Sequence, residues 1–142
     1  MTVCVHRKKL KKMKKISAVI IVKNEEQNIE NCIENLQCGI VDEIIIVDSG
    51  STDETINIIK RIKSSSDLNP NLTPITLKST TFNGFGFAKQ FATHQATNNW
   101  ILSMDADENL DIELKKEILK FKNGNQFSGY VGFFFRRKTK FL

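Results

Sequence analysis

Short apolar runs alternate with amphipathic stretches along the chain, and this alternation limits the possible folds more than any other feature. Five runs are predicted strands: residues 16–22, 44–47, 74–78, 100–104 and 129–135. Apolar residues at helical spacing follow the first run: Ile29, Cys32, Ile33 and Leu36. The alternation predicts an α/β domain with a mostly parallel sheet, helices on both faces and right-handed crossovers.

Local signals predict where the helices begin and end. The first helix is expected to begin at about Glu25, where the helix dipole favours negative charge. Residues 51–54 read as a capping box that opens the second helix. Residues 64–73 are polar and contain a proline, so they are expected to form a loop. A third helix is expected through about Asn98.

Polar side chains follow three of the predicted strands directly. The three clusters are Lys23, Asn24 and Glu25; Asp48, Ser49 and Gly50; and Asp105, Ala106 and Asp107. Each cluster alone is explained by a turn or a helix cap. Because the carboxyl ends of parallel strands meet at one edge of a sheet, the three together predict a site of the nucleotide-binding type.

Asp105 and Asp107 come directly after an apolar run whose composition predicts a central strand, buried on both faces. Residues two apart in an extended chain point the same way, so the two carboxylates are expected to project together. They would suit a hard divalent cation that also binds phosphate oxygens. The alternative is that they only cap the next helix.

Charge is distributed unevenly along the 142 residues. Seven of the 21 Lys and Arg residues lie in residues 1–15, and four lie in residues 136–142. All 16 acidic residues lie in residues 16–135, which have a net charge of −6. This outline predicts a basic N-terminal extension, one acidic domain and a basic tail, and it argues against a nucleic-acid-binding domain.

The basic extension admits more than one interpretation. It is either a solvated leader or a segment attracted to an anionic membrane surface, and Met13 is an alternative start. The chain has no run of about 20 apolar residues that would span a membrane. Its three cysteines match no metal-binding spacing and are expected to be free thiols, which favours the cytoplasm. Within the cytoplasm, a position at the inner face of the membrane is the alternative.

Four segments in order carry a resemblance to a known family. They are ISAVIIVKNEE at 16–26, IIVDSGSTD at 45–53, GFGFAKQ at 84–90 and WILSMDADE at 100–108. Together they resemble family 2 glycosyltransferases with the GT-A fold, and most closely the bacterial lipopolysaccharide core glucosyltransferase-like branch. The resemblance extends from about Lys14 to Phe135.

The resemblance implies a nucleotide-sugar donor site. Residues that would border the donor are Val22, Asn24, Glu25, Asp48, Ser49, Lys89 and Asp105. Asp48 would accept a hydrogen bond from the base, which favours a UDP-hexose such as UDP-glucose, and Lys89 would offset the charge of the diphosphate. Asp105 and Asp107 would hold Mg²⁺ or Mn²⁺ and so assist departure of the nucleotide.

The resemblance also implies the reaction and the acceptor. Such enzymes invert the anomeric carbon, and the acceptor would be a cell-envelope glycan, a glycolipid or the lipopolysaccharide core. The family's general base is an acid beyond the Asp-x-Asp motif, and none is identified in this chain. Glu108 is expected at a helix start, and Asp111, Glu113 and Glu117 on the solvated face of a helix.

Two alternatives to a complete transferase stay open. Relatives continue into an acceptor-binding half, so the chain is alternatively a truncated fragment that binds the donor without completing transfer. A nucleotidyltransferase is disfavoured, because it would need a glycine-bearing phosphate loop after the first strand, and residues 23–26 contain no glycine.

Overall fold

Four parallel strands and four helices alternate in the computed structural model, which describes residues 13–81, 84–124 and 129–139. In chain order they are β1 (Ile16–Val22), α1 (Ile29–Leu36), β2 (Glu43–Asp48), α2 (Thr55–Leu68), β3 (Ile75–Ser79), α3 (Phe85–Gln95), β4 (Trp100–Asp105) and α4 (Ile112–Asn123). The predicted α/β alternation is confirmed. In the described ranges no helix combines the length and the apolar character needed to cross a membrane.

The sheet has the strand order β3-β2-β1-β4, and every pair of neighbours is parallel. Strand β4 therefore lies at an edge of the described sheet, and the prediction that it is central was wrong. Leu102 and Met104 are buried on one face of β4, but Ser103 on the other face is exposed, so the strand is not buried on both faces. The apolar run 100–104 predicted a strand correctly but not its position in the sheet.

Helices cover both faces of the sheet, as predicted. Ala18, Ile20 and Val22 of β1 belong to a core cluster with residues of α1, α2 and α4. Val19 points to the other face and packs in a second cluster with Ala92 of α3. Alternate residues of a strand point to opposite faces, so one continuous apolar run serves both cores.

The apolar stripe of α1 is fully buried. Ile29, Cys32, Ile33 and Leu36 are each 0% exposed. Burying an Ile or Leu side chain contributes about 1.5–3 kcal/mol relative to leaving it in water. This stripe therefore fixes how α1, and the loop that precedes it, lies against the sheet.

Three helix boundaries differ from the sequence-based prediction, and one of them is the end of α3, which lies at Gln95 and not at about Asn98. Helix α1 begins at Ile29, since the carbonyl of Glu25 accepts the N–H groups of Asn28 and Ile29 in a preceding turn. Helix α2 continues to Leu68, so the loop predicted from residue 64 was wrong over its first half. Ser64 donates its hydroxyl hydrogen bond to the carbonyl of Lys60, which lets a polar residue stay in the helix.

The strand predicted at residues 129–135 is absent from the described residues, and that prediction was wrong. This segment instead packs through an aromatic ring. The ring centroid of Phe133 lies 6.0 Å from that of Trp100 and 5.3 Å from that of Phe121. Side-chain packing against β4 and α4, and not a strand ladder, holds the segment in place.

Lys14 shows that the basic extension predicted at residues 1–15 is not solvated throughout. Its ammonium donates to the carbonyls of Phe121 and Gly124, and it lies 4.9 Å from the Phe121 ring centroid. The last carbonyls of a helix have no partners within the helix and attract cations. Lys14 therefore closes the end of α4, while residues 1–12 lie outside the described residues.

Glu43 organises the amino-terminal ends of the strands. Its carboxylate accepts hydrogen bonds from the Ser17 hydroxyl, the Thr97 N–H and hydroxyl, and the Asn98 amide. Burial by itself raises the pKa of Glu43, but the hydrogen bonds from Ser17, Thr97 and Asn98 outweigh it and lower the pKa below its ordinary value of 4.5.

We expect Glu43→Gln to lower the free energy of unfolding at pH 7 by about 1–2 kcal/mol, because the charged acceptor is lost. A lowered pKa stabilises the fold above pH 4.5, and the contribution disappears as the pH falls through the folded-state value. Urea unfolding should therefore show a difference between the two proteins that shrinks from pH 7 to pH 3. A difference independent of pH would contradict this account, and Glu34→Gln, at an exposed position, is the matched control.

Candidate functional site

A cleft of about 660 Å³ opens at the carboxyl ends of β1, β2 and β4. The residues that line it are Ile21, Val22, Lys23, Glu25, Ser49, Phe85, Lys89, Asp105, Ala106 and Asp107. The predicted convergence of the three polar clusters is confirmed for these residues. Of the predicted donor-binding residues, Asn24 and Asp48 are not part of the lining.

The loops after β1 and β2 are joined by reciprocal hydrogen bonds. The N–H of Asn24 donates to the Ser51 hydroxyl at 2.9 Å, and the N–H of Thr52 donates to the Asn24 side-chain oxygen at 2.8 Å. The N–H of Glu25 donates to the Thr55 hydroxyl at 2.8 Å. The side chain of Asn24 is therefore used in holding the two loops together.

The capping box predicted at residues 51–54 was wrong. Ser51 accepts from the first loop, and the N-cap of α2 is Glu54, which makes no side-chain capping hydrogen bond. The free N–H groups are satisfied in another way: Glu26 accepts from Glu54, and Asp53 accepts from Thr55. Glu26, which lies 28 residues before Glu54, thus takes the place of the local capping partner that the sequence predicted.

Asp48 is 5% exposed and binds its own turn. Its carboxylate accepts hydrogen bonds from the N–H groups of Gly50 and Ser51 at 3.0 and 3.1 Å. Gly50 has a φ of +94°, a conformation that side chains disfavour. Asp48 therefore orders the loop that carries Ser49, and its contact with a base stays a prediction.

Ser49 is a buried polar residue of the cleft wall. It is 4% exposed, and its hydroxyl oxygen has no hydrogen-bond partner among the described residues. Buried hydroxyls are nearly always hydrogen-bonded in native proteins, because leaving one without a partner is costly. The unpartnered hydroxyl marks this wall of the cleft as a place where a polar ligand group fits.

Asp105 is held by two cations from different parts of the chain. Lys89 lies 3.2 Å from one carboxylate oxygen, and Arg137 lies 3.4 Å from the other. The N–H of Asp105 donates to Glu108 at 2.9 Å, and Glu108 also pairs with Arg137 at 2.6 Å. Lys89 thus faces the cleft, as predicted.

Two of the four acids after the cluster differ from their predicted roles. Glu108 does not start a helix: its N–H donates to the carbonyl of Asp105 and closes the turn after β4, and its carboxylate is bound to Asp105 and Arg137. Asp111 is the N-cap of α4 and accepts from the N–H of Leu114 at 2.8 Å, so it is not merely on the solvated face. Glu113 and Glu117 lie on the solvated face of α4, as predicted, and they pair there with the exposed Lys116 and Lys120.

Asp107 is exposed and makes no hydrogen bond or ion pair within the described ranges. Those ranges contain no group of three or more His, Cys, Asp or Glu side chains that could hold a metal ion. Mg²⁺ is usually held by one or two carboxylates together with the phosphates of a substrate. The carboxylates of Asp105 and Asp107, both in the cleft lining, fit that kind of incomplete donor set.

Cys32 lies beneath the acidic side of the cleft. Burial raises the pKa of its thiol to about 12, and the negative charges of Glu108, Asp107 and Glu25 add to the shift. A thiol with this pKa stays neutral near pH 7 and is not a nucleophile. Cys32 and the exposed Cys38 are both free, in agreement with the prediction for these two residues.

Sequence reasoning placed Lys23 in the first polar cluster but did not name it among the donor-binding residues, and it missed other residues of the site. Lys23 directly follows β1 and lines the cleft. Phe85 lies at the start of α3, beside Gly84 with a φ of +97°. Arg137 follows Asp105 by 32 residues, and nothing in the local sequence pattern connects the two.

The parallel sheet and the cleft at its strand ends define a domain of the GT-A type. The chain superposes on the Staphylococcus aureus TarS structure with UDP at a TM-score of 0.59 and 24% identity, over 75% of this chain and 31% of that one. It superposes on the mannosyltransferase PcManGT of Pyrobaculum calidifontis, solved with GDP-Man and Mn²⁺, at a TM-score of 0.62 and 24% identity, over 78% and 32%.

Sequence comparison identifies the family. The model described as glycosyl transferase family 2 matches residues 17–142, so the chain belongs to that family. It is 41% identical over 106 residues to an uncharacterized glycosyltransferase of Rickettsia typhi, covering 75% of this chain and 32% of the relative. It is 38% identical over 102 residues to the lipopolysaccharide core biosynthesis glycosyltransferase LpsC of Rhizobium meliloti, covering 71% and 34%. The chain thus spans about a third of the length of these relatives.

We expect Asn24→Ala to lower the free energy of unfolding by about 1–2 kcal/mol, because it removes the acceptor for the Thr52 N–H and because alanine adopts the left-handed conformation less readily than asparagine. Asn24 has a φ of +56°. Asn24→Gly should be less destabilised, since glycine adopts this conformation without steric cost. Urea unfolding of the three proteins measures the effect, and equal stability of Asn24→Ala and the unsubstituted chain would contradict the role in joining the loops.

Proposed function

We propose that this chain binds the nucleotide-sugar donor of a family 2 glycosyltransferase in the cleft between the loops after β1 and β2 and the end of β4. One observation carries the proposal. Two carboxylates, Asp105 and Asp107, lie in one cleft with a cation, Lys89, and a buried hydroxyl without a partner, Ser49. Cation, hydroxyl and carboxylates together suit a ligand that carries a diphosphate and hydroxyl-rich sugars.

The donor is a UDP-hexose such as UDP-glucose in this proposal. Val22, Glu25 and Ser49 border the nucleoside, with the Glu25 carboxylate accepting from ribose hydroxyls. Asn24 and Asp48 contribute indirectly, because their side chains hold in place the loops that form this wall. Support comes from the glucosyl-3-phosphoglycerate synthase of Mycobacterium tuberculosis, solved with Mn²⁺ and UDP. It aligns at a TM-score of 0.52 and 26% identity over 68% of this chain and 36% of that one.

Asp105 and Asp107 would hold Mg²⁺ or Mn²⁺, which supplies a Lewis acid for the leaving diphosphate when bound. Asp107 is the better ligand of the two, because it is exposed and has no competing partner in the described part of the chain. Asp105 is already paired with Lys89 and Arg137. Lys89 holds its ammonium where it can neutralise a phosphate oxygen.

Transfer would invert the anomeric carbon, with a cell-envelope glycan, a glycolipid or the lipopolysaccharide core as acceptor. The relationship to LpsC, which is named for lipopolysaccharide core biosynthesis, supports this acceptor class. The cytoplasm, at or near the inner face of an anionic membrane, is the proposed location. The six basic residues of residues 1–15 other than Lys14 support contact with such a surface.

The alternative function is donor binding without transfer. It is favoured by one observation, that the chain spans 32% of the Rickettsia typhi relative and 34% of LpsC. A general base that deprotonates the acceptor is also unassigned in this chain. Under this alternative the cleft binds the same ligand, but the reaction needs residues from elsewhere.

We expect Mn²⁺ to strengthen UDP binding by the unsubstituted chain, and Asp107→Asn to remove that strengthening, because the amide cannot replace the anionic ligand. The loss of affinity in the presence of Mn²⁺ should be about tenfold or more. Isothermal titration with UDP, with and without Mn²⁺, measures it. Asp67→Asn, an exposed acid of α2, makes the same charge change and should bind normally.

Absence of UDP binding by the unsubstituted chain would contradict both the transferase proposal and its alternative. Binding that Mn²⁺ strengthens equally in Asp107→Asn would contradict the assignment of the metal ligand. The first result tests whether the chain binds UDP, and the second tests whether Asp107 holds the metal ion.

We expect release of UDP when the chain is incubated with UDP-glucose, Mn²⁺ and a lipopolysaccharide core acceptor, and no release from Asp107→Asn. A coupled assay for free UDP measures it. Donor binding without any release of UDP would contradict transfer by this chain alone and favour the binding alternative.

A further inference from the structure

Arg137 is a basic residue of the candidate site that neither the sequence motifs nor the family relationship assigned. It belongs to the segment after α4, and its guanidinium reaches back to the end of β4. There it lies 3.4 Å from Asp105 and 2.6 Å from Glu108. Lys89 lies 3.2 Å from the other oxygen of the same Asp105 carboxylate. Two cations from distant parts of the chain thus meet at one point beside the cleft.

The charges of the cleft explain why a second such cation matters. Among the described residues of the lining, three are acidic (Glu25, Asp105 and Asp107) and two are basic (Lys23 and Lys89). A nucleoside diphosphate carries several negative charges, and a lining with one more acid than bases offers it no net electrostatic attraction unless a cation is added. Arg137 adds a positive charge at the end of the cleft where the carboxylates lie.

The guanidinium of Arg137 is available for a ligand. Its side chain is 72% exposed, and its contact with Asp105 is long and open to solvent. Exposed ion pairs contribute little to stability, so exchanging this contact for a phosphate costs little. Arginine presents a planar fork of donors that matches two phosphate oxygens.

Glu108 keeps this guanidinium beside the cleft. Its carboxylate accepts from the N–H of Asp105 at 2.9 Å, so it is fixed to the end of β4. The 2.6 Å pair with Arg137 then holds the guanidinium next to Asp105 before any ligand arrives. A cation held in place loses less freedom when it binds a phosphate.

We propose that Arg137 binds the diphosphate of the nucleotide-sugar donor together with Lys89, exchanging its contact with Asp105 for phosphate oxygens. This inference rests on the proposed donor site and extends that site to the segment after α4. The segment thereby becomes part of the donor site, and binding of the donor helps to hold it in place.

The test compares Arg137→Ala with Arg136→Ala. The neighbouring Arg136 is exposed and has no ion pair among the residues that the structure describes, so the two variants make the same change in net charge. UDP and uridine are titrated in turn by NMR chemical shifts, with Mn²⁺ omitted. Uridine has no phosphates, so it reports only on the nucleoside part of the site.

Arg137→Ala should weaken UDP binding about tenfold and leave uridine binding unchanged, while Arg136→Ala should bind both ligands like the unsubstituted chain. Unchanged UDP binding in Arg137→Ala would overturn the proposal, and so would an equal loss of uridine and UDP or an equal effect of Arg136→Ala. Absence of UDP binding by the unsubstituted chain would overturn the donor site itself, which distinguishes that failure from the failure of Arg137 alone.

Discussion

The parallel pairing of β1 with both of its neighbours places the residues of the site. In this register Val22 lies opposite Asp48 of β2, and Ile21 lies opposite Asp105 of β4. The last residues of β1 therefore have an acidic strand end on each side. A slip of the register by one residue would turn every side chain of the slipped strand to the other face, so the two buried cores fix the register. The geometry of the cleft is thus a consequence of how the two cores on the faces of the sheet pack.

The two sides of the cleft differ in how firmly their side chains are held. On one side, hydrogen bonds join the loops after β1 and β2, and Asp48 is occupied by its own turn. On the other side, Asp105 is held by exposed ion pairs that a charged ligand can replace. This difference suits a ligand whose nucleoside meets a preformed wall and whose phosphates meet adjustable charges.

The sequence was sufficient for those parts of the structure that depend on short-range patterns. Continuous apolar runs predicted the four strands, the helical period of 3.6 residues predicted the buried stripe of α1, and the alternation of the two predicted the meeting of three strand ends. It failed where the deciding partner is distant. Ser51 binds Asn24 across 27 residues and so does not cap α2, and Arg137 reaches Asp105 across 32 residues. No local pattern shows that β4 lies at an edge of the sheet formed by the described residues. Ser64 and Ser65 remain in α2, where their hydroxyls donate hydrogen bonds to carbonyls of the preceding turn.

The central claim is that the cleft holds the diphosphate of a nucleotide sugar between Asp107 and Lys89. A crystal structure of the chain with UDP and Mn²⁺ tests it most directly. The account predicts Mn²⁺ on the Asp107 carboxylate, phosphate oxygens within hydrogen-bond distance of Lys89, and the Ser49 hydroxyl bonded to the nucleotide. Nucleotide bound outside the cleft, or Mn²⁺ held without Asp107, would contradict it.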